Sequence, residues 1–385
     1  MSKEFFDKSE FVERQKKVQK EMEKQKLDAM IVISPININY LIGTAAKAYQ
    51  VFQCLLFSRE EGPETLLIRL SDVGEAMDTG LAKEVKGWGG RYAENPISAL
   101  ANILKDKKWK NGRIGLEMPA YYLSVQDYLA LTKVLDQATV IDASDLIETL
   151  KLAKSPAEIN YIRKAASIAD IGIESLTRAI KEGRTEKEVA AEAHKAMMAA
   201  GGESPPSPMN FVSGERACYA HGLPTDRQLR RQDFMHIEFG GQYRRYCATI
   251  ARHFSLGTPT QLAQEIHDVT NEACEAAISV IKEGVPIHYP HQVAKSVIEK
   301  AGFGEYFLHT TGYGIAPGYP PSWGESINML NDDDRLFESG MVVSIEPPIF
   351  IHEKQIGARL IDCVIVKQDS AETLSRLSRE LIVVD

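Results

Sequence analysis

The hydrophobic positions of this chain change their rhythm near residue 155. Before it they come in short unbroken runs, and LDAMIVISP, CLLFS, ETLLIRL, RIGLEM and ATVID read as strands. Helical stretches stand between them: a charged one over 9–26 with Phe11, Val12, Val18 and Met22 as its apolar face, and others near 97–106 and 124–135. The first strand is read as ending at Ser34-Pro35. Strands alternating with helices predict an α/β domain over 1–152. No GxGxxG loop follows a strand and no GxxxxGK[ST] loop occurs, so no nucleotide site is visible.

From residue 153 on, the apolar positions open into stripes. Ser155, Pro156 and Glu158 make a capping box, and Ile159, Ile162, Ala166, Ala169, Ile173, Leu176 and Ile180 follow at spacings of three and four. Gly183 ends this helix, and Thr185 with Glu188 caps another that runs to about Ala200. A helix near 259–282, a glycine stop and a helix near 289–301 repeat the order. Ile180-Lys181-Glu182-Gly183 returns as Ile281-Lys282-Glu283-Gly284, 281 − 180 = 101 residues later. Strands follow each helix pair, which predicts an internally duplicated helix-helix-sheet unit over 153–385.

The strands of this second half carry charge inside apolar runs. Phe234 to Phe254 reads as two short strands joined at Gly240-Gly241 and the polar Gln242 to Arg245. Period two puts Phe234, His236 and Glu238 on one face and Met235, Ile237 and Phe239 on the other. A carboxylate at 238 needs a partner, a metal or a proton, unless the strand keeps one wet face. MVVSIEPPIF carries Ser344 and Glu346 and ends at Pro347-Pro348. IGARLIDCVIVK sets Arg359, Ile361 and Cys363 against Leu360, Asp362 and Val364. HTTGYGIAPGYPPSWGES reads as an irregular functional loop.

Composition narrows the function classes. A chain of 385 residues is too long for one ordinary core, and 44% hydrophobic with 25% charged residues is a globular balance. The net charge of −8 has the wrong sign for nucleic acid as a partner. The N-terminus is charged and no apolar run approaches the ~20 residues of a membrane span, so the expectation is a cytoplasmic protein without membrane contact. The five cysteines lack CxxC spacing, and their odd number argues against a disulfide framework or a zinc knuckle.

A helix pair, a His221-Gly222-x-Pro224 loop, strand-turn-strand, a second helix pair, a Gly-rich loop, a strand ending in Glu346-Pro347 and a final Gly357-x-Arg359 strand resemble the pita-bread superfamily. That superfamily contains methionine aminopeptidase, prolidase, aminopeptidase P, creatinase and ectoine hydrolase. The resemblance covers essentially the whole chain. It implies a creatinase/prolidase-type α/β N-terminal domain over 1–152 and a pseudo-symmetric α+β pita-bread catalytic domain over 153–385. Its peptidases hold two divalent metals with two Asp, one His and two Glu, positions that fall here at Glu238, Thr249, Tyr313, Glu346 and Ile361. With three of the five replaced, the expectation is no metal and no cofactor. A single metal held by Glu238, Glu346 and His221 or His253 is the alternative.

These departures resemble the metal-free branches. Creatinase likewise has Gly-Tyr-Gly around position 313, a Glu at 346 and a His at 221 that acts as acid and base. Ectoine hydrolase is similar in Tyr319 to Glu325, in Arg245-Tyr246 and in Glu238, a nucleophile in that family. The activity this implies is metal-independent hydrolysis of a non-peptide C–N bond in a small amidine- or guanidinium-like zwitterion. Glu238 and Glu346 would bind the planar cation by two-point hydrogen bonds, and His221 would shuttle a proton. Tyr313 and Trp323 would wall the pocket; in a variant scheme Glu238 attacks directly. Arg69 and Phe52 would meet the substrate from the N-terminal domain of the other subunit of a homodimer. Arg252 reads as structural. An Xaa-Pro metallopeptidase, or a lyase acting on a small sulfonium or betaine zwitterion, are the alternatives.

Overall fold

The short apolar runs of the first half become strands of one sheet, and those at its centre, AMIV and CLLFS, are buried on both faces. In a computed structural model, which describes residues 6–44, 47–105, 107, 109, 111–330 and 333–385, the chain divides into two units, Met1–Lys151 and Leu152–Asp385. The first is built from α1 (Lys8–Lys24), β1 (Ala29–Val32), α2 (Pro35–Ile42), β2 (Cys54–Ser58), β3 (Gly62–Arg69), α3 (Val73–Thr79), β4 (Glu84–Trp88), α4 (Pro96–Lys105), β5 (Arg113–Leu116), α5 (Val125–Val134), β6 (Thr139–Asp142) and α6 (Ser144–Leu150). The strands lie in the order β4-β3-β2-β1-β5-β6, with β1 parallel to β5 and antiparallel to β2. Alternation sends Met30, Val32, Leu55 and Phe57 to the side of α1 and α2, and Ala29, Ile31, Cys54 and Leu56 to the side of α4 and α5. Ser34-Pro35 does more than stop β1: proline at the first helical turn opens α2, which the run pattern had not revealed. Asp106, the last position of the expected 97–106 helix, lies outside the described residues.

The second unit opens on the expected capping box. The Ser155 hydroxyl accepts from the Glu158 amide, the Glu158 carboxylate accepts from the Ser155 amide, and α7 runs over Pro156–Ala179. Then follow α8 (Glu186–Ala199), β7 (Asn210–Ser213), β8 (Phe234–Tyr243), β9 (Tyr246–Leu256), α9 (Gln261–Ser279) and α10 (Tyr289–Lys300). The chain ends in β10 (Gly312–Tyr319), β11 (Ser322–Asn328), β12 (Val342–Ile345), β13 (Pro348–Ile351), β14 (Ile356–Arg359), β15 (Ile361–Val366), β16 (Ala371–Thr373) and β17 (Ile382–Val384). One sheet runs β11-β10-β12-β15-β9-β8-β7, while β13 and β14 pair separately. Met235, Ile237, Phe239, Ile250 and Phe254 pack against α7 and α8. The α9 and α10 pair builds a second core with Val343, Ile345, Ala358 and Val364, so a helix pair followed by strands occurs twice. Among the described residues no helix is long and apolar enough to cross a membrane.

Three local expectations are corrected. Gly240-Gly241 is not the turn: β8 continues through it, and the reversal falls at Arg244 and Arg245, whose φ angles are 48° and 69°. The two glycines serve close approach instead. A Cβ on Gly240 would sit 3.0 Å from the Trp323 ring, and one on Gly241 would strike the α7 backbone at Ala165. The stretch from His309 to Ser326 is largely a hairpin, β10 with β11, rather than a loop. IGARLIDCVIVK breaks at Leu360 into β14 and β15, which pair with different neighbours.

Candidate active site

Strand register gathers the polar residues of the second unit on one face. Glu238 pairs with Asn210 on β7 and with Ala251 on β9; Ile361 of β15 pairs with the same Ala251, and Ser344 of β12 with Cys363 and Tyr313. Above this face lies a cavity of about 370 Å³ lined by Asn210, His221, Glu238, His309, Tyr313, Trp323 and neighbours. Glu346, just past β12 and 1% exposed, stands behind that wall.

Glu238 already has its partner. Arg359, fully buried at the end of β14, donates from Nη2 to the Glu238 carboxylate and to the Ala220 carbonyl at 2.6 Å, and its Nη1 lies 3.5 Å from His221 Nε2. Burial, with Arg359 adding to it and Glu238 opposing, lowers the pKa of His221. Burial raises that of Glu346 to about 8, with Glu238 adding and Arg359 opposing. Glu346 Oε2 accepts from the Ser344 hydroxyl at 2.8 Å, and Oε1 lies 3.4 Å from His309 Nδ1. His309 is itself held low by burial and Arg359. The Tyr313 hydroxyl accepts from Trp323 Nε1 at 3.0 Å and is kept protonated by burial and by both carboxylates.

The structure thus brings His221, Glu238, Tyr313, Trp323 and Glu346 together. Arg69 and Phe52 belong to the N-terminal unit. Arg69 is exposed at the end of β3, and Phe52 packs in the core against α4 and α5. Arg252 is structural as read, donating to Ser378 O, Ile361 O and Asp362. Two site residues escaped the sequence reading. Arg359 had a signal, the same one that singled out Glu238: a charge inside an apolar strand needs an opposite charge, and here each answers the other. His309 had none beyond its position beside Thr310-Thr311.

A two-metal centre does not fit these residues. Glu238 is ion-paired, Thr249 is bonded to Cys363 and Ser344, Tyr313 is a protonated phenol bonded to Trp323, and Ile361 offers no donor. The buried Arg359 cation would repel a dication beside it. His253 is engaged with His267, Nδ1 to Nδ1 at 2.9 Å. Among the described residues no three His, Cys, Asp or Glu side chains converge as ligands.

Residues 160–368 match the sequence profile of metallopeptidase family M24, and residues 14–152 that of the creatinase/prolidase N-terminal domain. An uncharacterized peptidase of Staphylococcus saprophyticus is 30% identical over 358 residues, covering 93% of this chain and 97% of its own. The Xaa-Pro dipeptidase of Pyrococcus furiosus is 27% identical over 370 residues, 96% and 99% of the two chains. Among solved structures, the Xaa-Pro dipeptidase from Bacillus anthracis superposes with a TM-score of 0.85 at 26% identity, covering 97% of this chain and 100% of its own. The pita-bread fold with its creatinase/prolidase N-terminal domain is therefore established. The expected cleavage of a non-peptide C–N bond in an amidine- or guanidinium-like zwitterion is overturned, because these relatives are peptidases. The site supplies the physical reason. With Glu238 spent on Arg359 and Glu346 tending to hold its proton, no pair of free carboxylates is left to clamp a planar cation.

Proposed function

Because this chain belongs to metallopeptidase family M24, we propose that it hydrolyses the bond before proline in a short peptide, by acid–base chemistry at a pocket imidazole and without the family's metal pair. The observation that carries this reading is the pair His221 and His309, with ring centroids 5.8 Å apart on one cavity wall. One faces Arg359, the other Glu346. Titratable groups with opposite neighbours take different roles. His221, kept neutral by burial and Arg359, takes a proton from water as its oxygen adds to the carbonyl carbon. His309 Nδ1 donates to the Thr310 carbonyl at 3.1 Å and lies 3.4 Å from Glu346 Oε1, so the buried carboxyl holds this ring in place beside the cleaved bond. The proton on His221 passes to the leaving nitrogen as the C–N bond breaks, which returns His221 to its neutral form and closes the cycle. Tyr313 and Trp323 offer an apolar wall to the proline ring. Relatives named as Xaa-Pro dipeptidases support the choice of bond.

Purified protein incubated with Xaa-Pro dipeptides, Xaa-Pro tripeptides and matched peptides without proline, followed by mass spectrometry, tests the reading. Cleavage confined to the proline peptides is expected, and no cleavage of any peptide overturns it. A homodimer belongs to the same proposal: sedimentation should give twice the 42.8 kDa chain mass, and a fully active monomer would remove the partner subunit and Arg69 from the account.

A further inference from the structure

β7 ends the strand order of the large sheet, and what lies along its two sides fixes where Asn210 stands. On one side Asn210 pairs with Glu238 of β8, so the two side chains share a face, while Phe211 turns the other way into the core against α7 and α8. On the other side runs the loop of His221. The Phe211 amide donates to the Gly222 carbonyl at 2.8 Å, and a Cβ on Gly222 would strike the Val212 side chain, so this loop lies flush along the strand. Asn210 is thereby set between the strand of Glu238 and the loop of His221, and all three residues line the cavity. It is 8% exposed, yet among the described residues no group bonds its side-chain amide. An amide so nearly buried must find its partner in the cavity, from water or from a bound ligand.

We propose, on the reading of this site as one that hydrolyses a peptide, that Asn210 is a further catalytic residue: its side-chain amide donates to the carbonyl oxygen of the cleaved bond and holds the negative charge that develops there. As water adds to the carbonyl carbon, the C=O π pair moves onto the oxygen and the water proton goes to His221. When the intermediate collapses the pair returns, the C–N bond breaks, and the leaving nitrogen takes the proton from His221. The oxygen needs a donor between these two events. The buried cation nearby is already committed, since Arg359 Nη2 serves Glu238 and the Ala220 carbonyl and Nη1 faces His221. Asn210 brings two N–H donors to the cavity with no protein bond to break first, the preorganised arrangement that favours an oxyanion over a neutral carbonyl.

Kinetics and binding on one set of variants test it. With a cleaved proline peptide, Asn210→Ala should lower kcat by about two to three orders of magnitude, the loss expected for one oxyanion donor, with KM within about twofold. Its melting temperature should match the wild type, because the amide bonds no described group. Asn210→Asp, which keeps the shape of β7 but puts an acceptor in place of the donor, should lose at least as much. Tyr313→Phe, which removes the phenol of the same cavity, should cost less. Affinity for a phosphinic analogue of the tetrahedral intermediate, read by calorimetry, should fall in Asn210→Ala by the same factor as kcat/KM. A kcat in Asn210→Ala within about threefold of wild type, a loss expressed in KM alone, or a larger loss in Tyr313→Phe overturns the role of Asn210 and leaves the proposed hydrolysis standing. A wild type that cleaves no peptide defeats the hydrolysis itself and the role of Asn210 with it.

Discussion

Glu117 in the N-terminal unit and Glu346 in the C-terminal unit are both 1% exposed, and burial raises both, to about 7 and about 8. Their partners differ. Glu117 accepts from the Ile33 and Ser34 amides at 2.7 and 2.9 Å and from Asn37 Nδ2 at 2.8 Å, just where α2 begins. These donors belong to the frame of the unit and exchange no proton with a cavity. Glu346 instead touches an imidazole that lines a cavity, and shares its surroundings with a second carboxylate and a buried guanidinium. A raised carboxyl pKa thus marks burial in both places, and only the route open to the proton separates a structural acid from one suited to catalysis.

The sharpest way to break the contrast is to remove the cation on which only the second cluster depends. Arg359→Leu leaves the buried Glu238 carboxylate alone and should cost about 3–5 kcal/mol of unfolding free energy in urea titrations. A loss below about 1 kcal/mol would mean that Glu238 finds water or a proton instead.

The N-terminal cluster should show itself in pH. A folded pKa raised from an ordinary 4.5 to about 7 means that stability from Glu117 is complete below about pH 4.5, falls by about 3 kcal/mol as pH rises to 7, and then levels. Glu117→Gln should flatten that part of the stability–pH curve and leave turnover unchanged. An unaltered slope, or a loss of turnover, would erase the distinction between the two acids.

Catalytic substitutions should do the reverse. His221→Asn should lower kcat by about two orders of magnitude with little change in melting temperature. Glu346→Gln should cost at least ~2 kcal/mol in kcat/KM on the same peptide. The smallest effect is in the shape of the pH profile: activity should rise as His221 becomes neutral, below its ordinary 6.5, and fall as Glu346 ionises near 8. A profile without the alkaline limb would mean that the charge state of Glu346 does not matter to the reaction.

How much of this was legible in the sequence follows the same division. Capping residues and stripes placed α7 and α8 within a residue or two, because local hydrogen bonds decide helix ends. Glu238 stood out as a charge in an apolar strand. Gly240-Gly241 and the Gly/Pro-rich stretch after His309 were misread as turn and loop, since glycine there answers to what packs opposite, Trp323 and the α7 backbone for the first, Ser344 and Glu325 for the second. No single sequence displays those neighbours. The residues at the replaced ligand positions said little about which bond is cleaved; the substrate expectation failed because the pairing of Glu238 with Arg359 is a tertiary fact.

The proposed active site works through its own imidazole and carboxyl groups. The direct test is to measure bound Mn, Zn, Co and Fe and the hydrolysis rate of a proline dipeptide on one sample before and after exhaustive chelation. Well under one equivalent of metal per chain and an unchanged rate are the predicted result; stoichiometric metal, with activity lost on chelation and restored by added Mn, would contradict it.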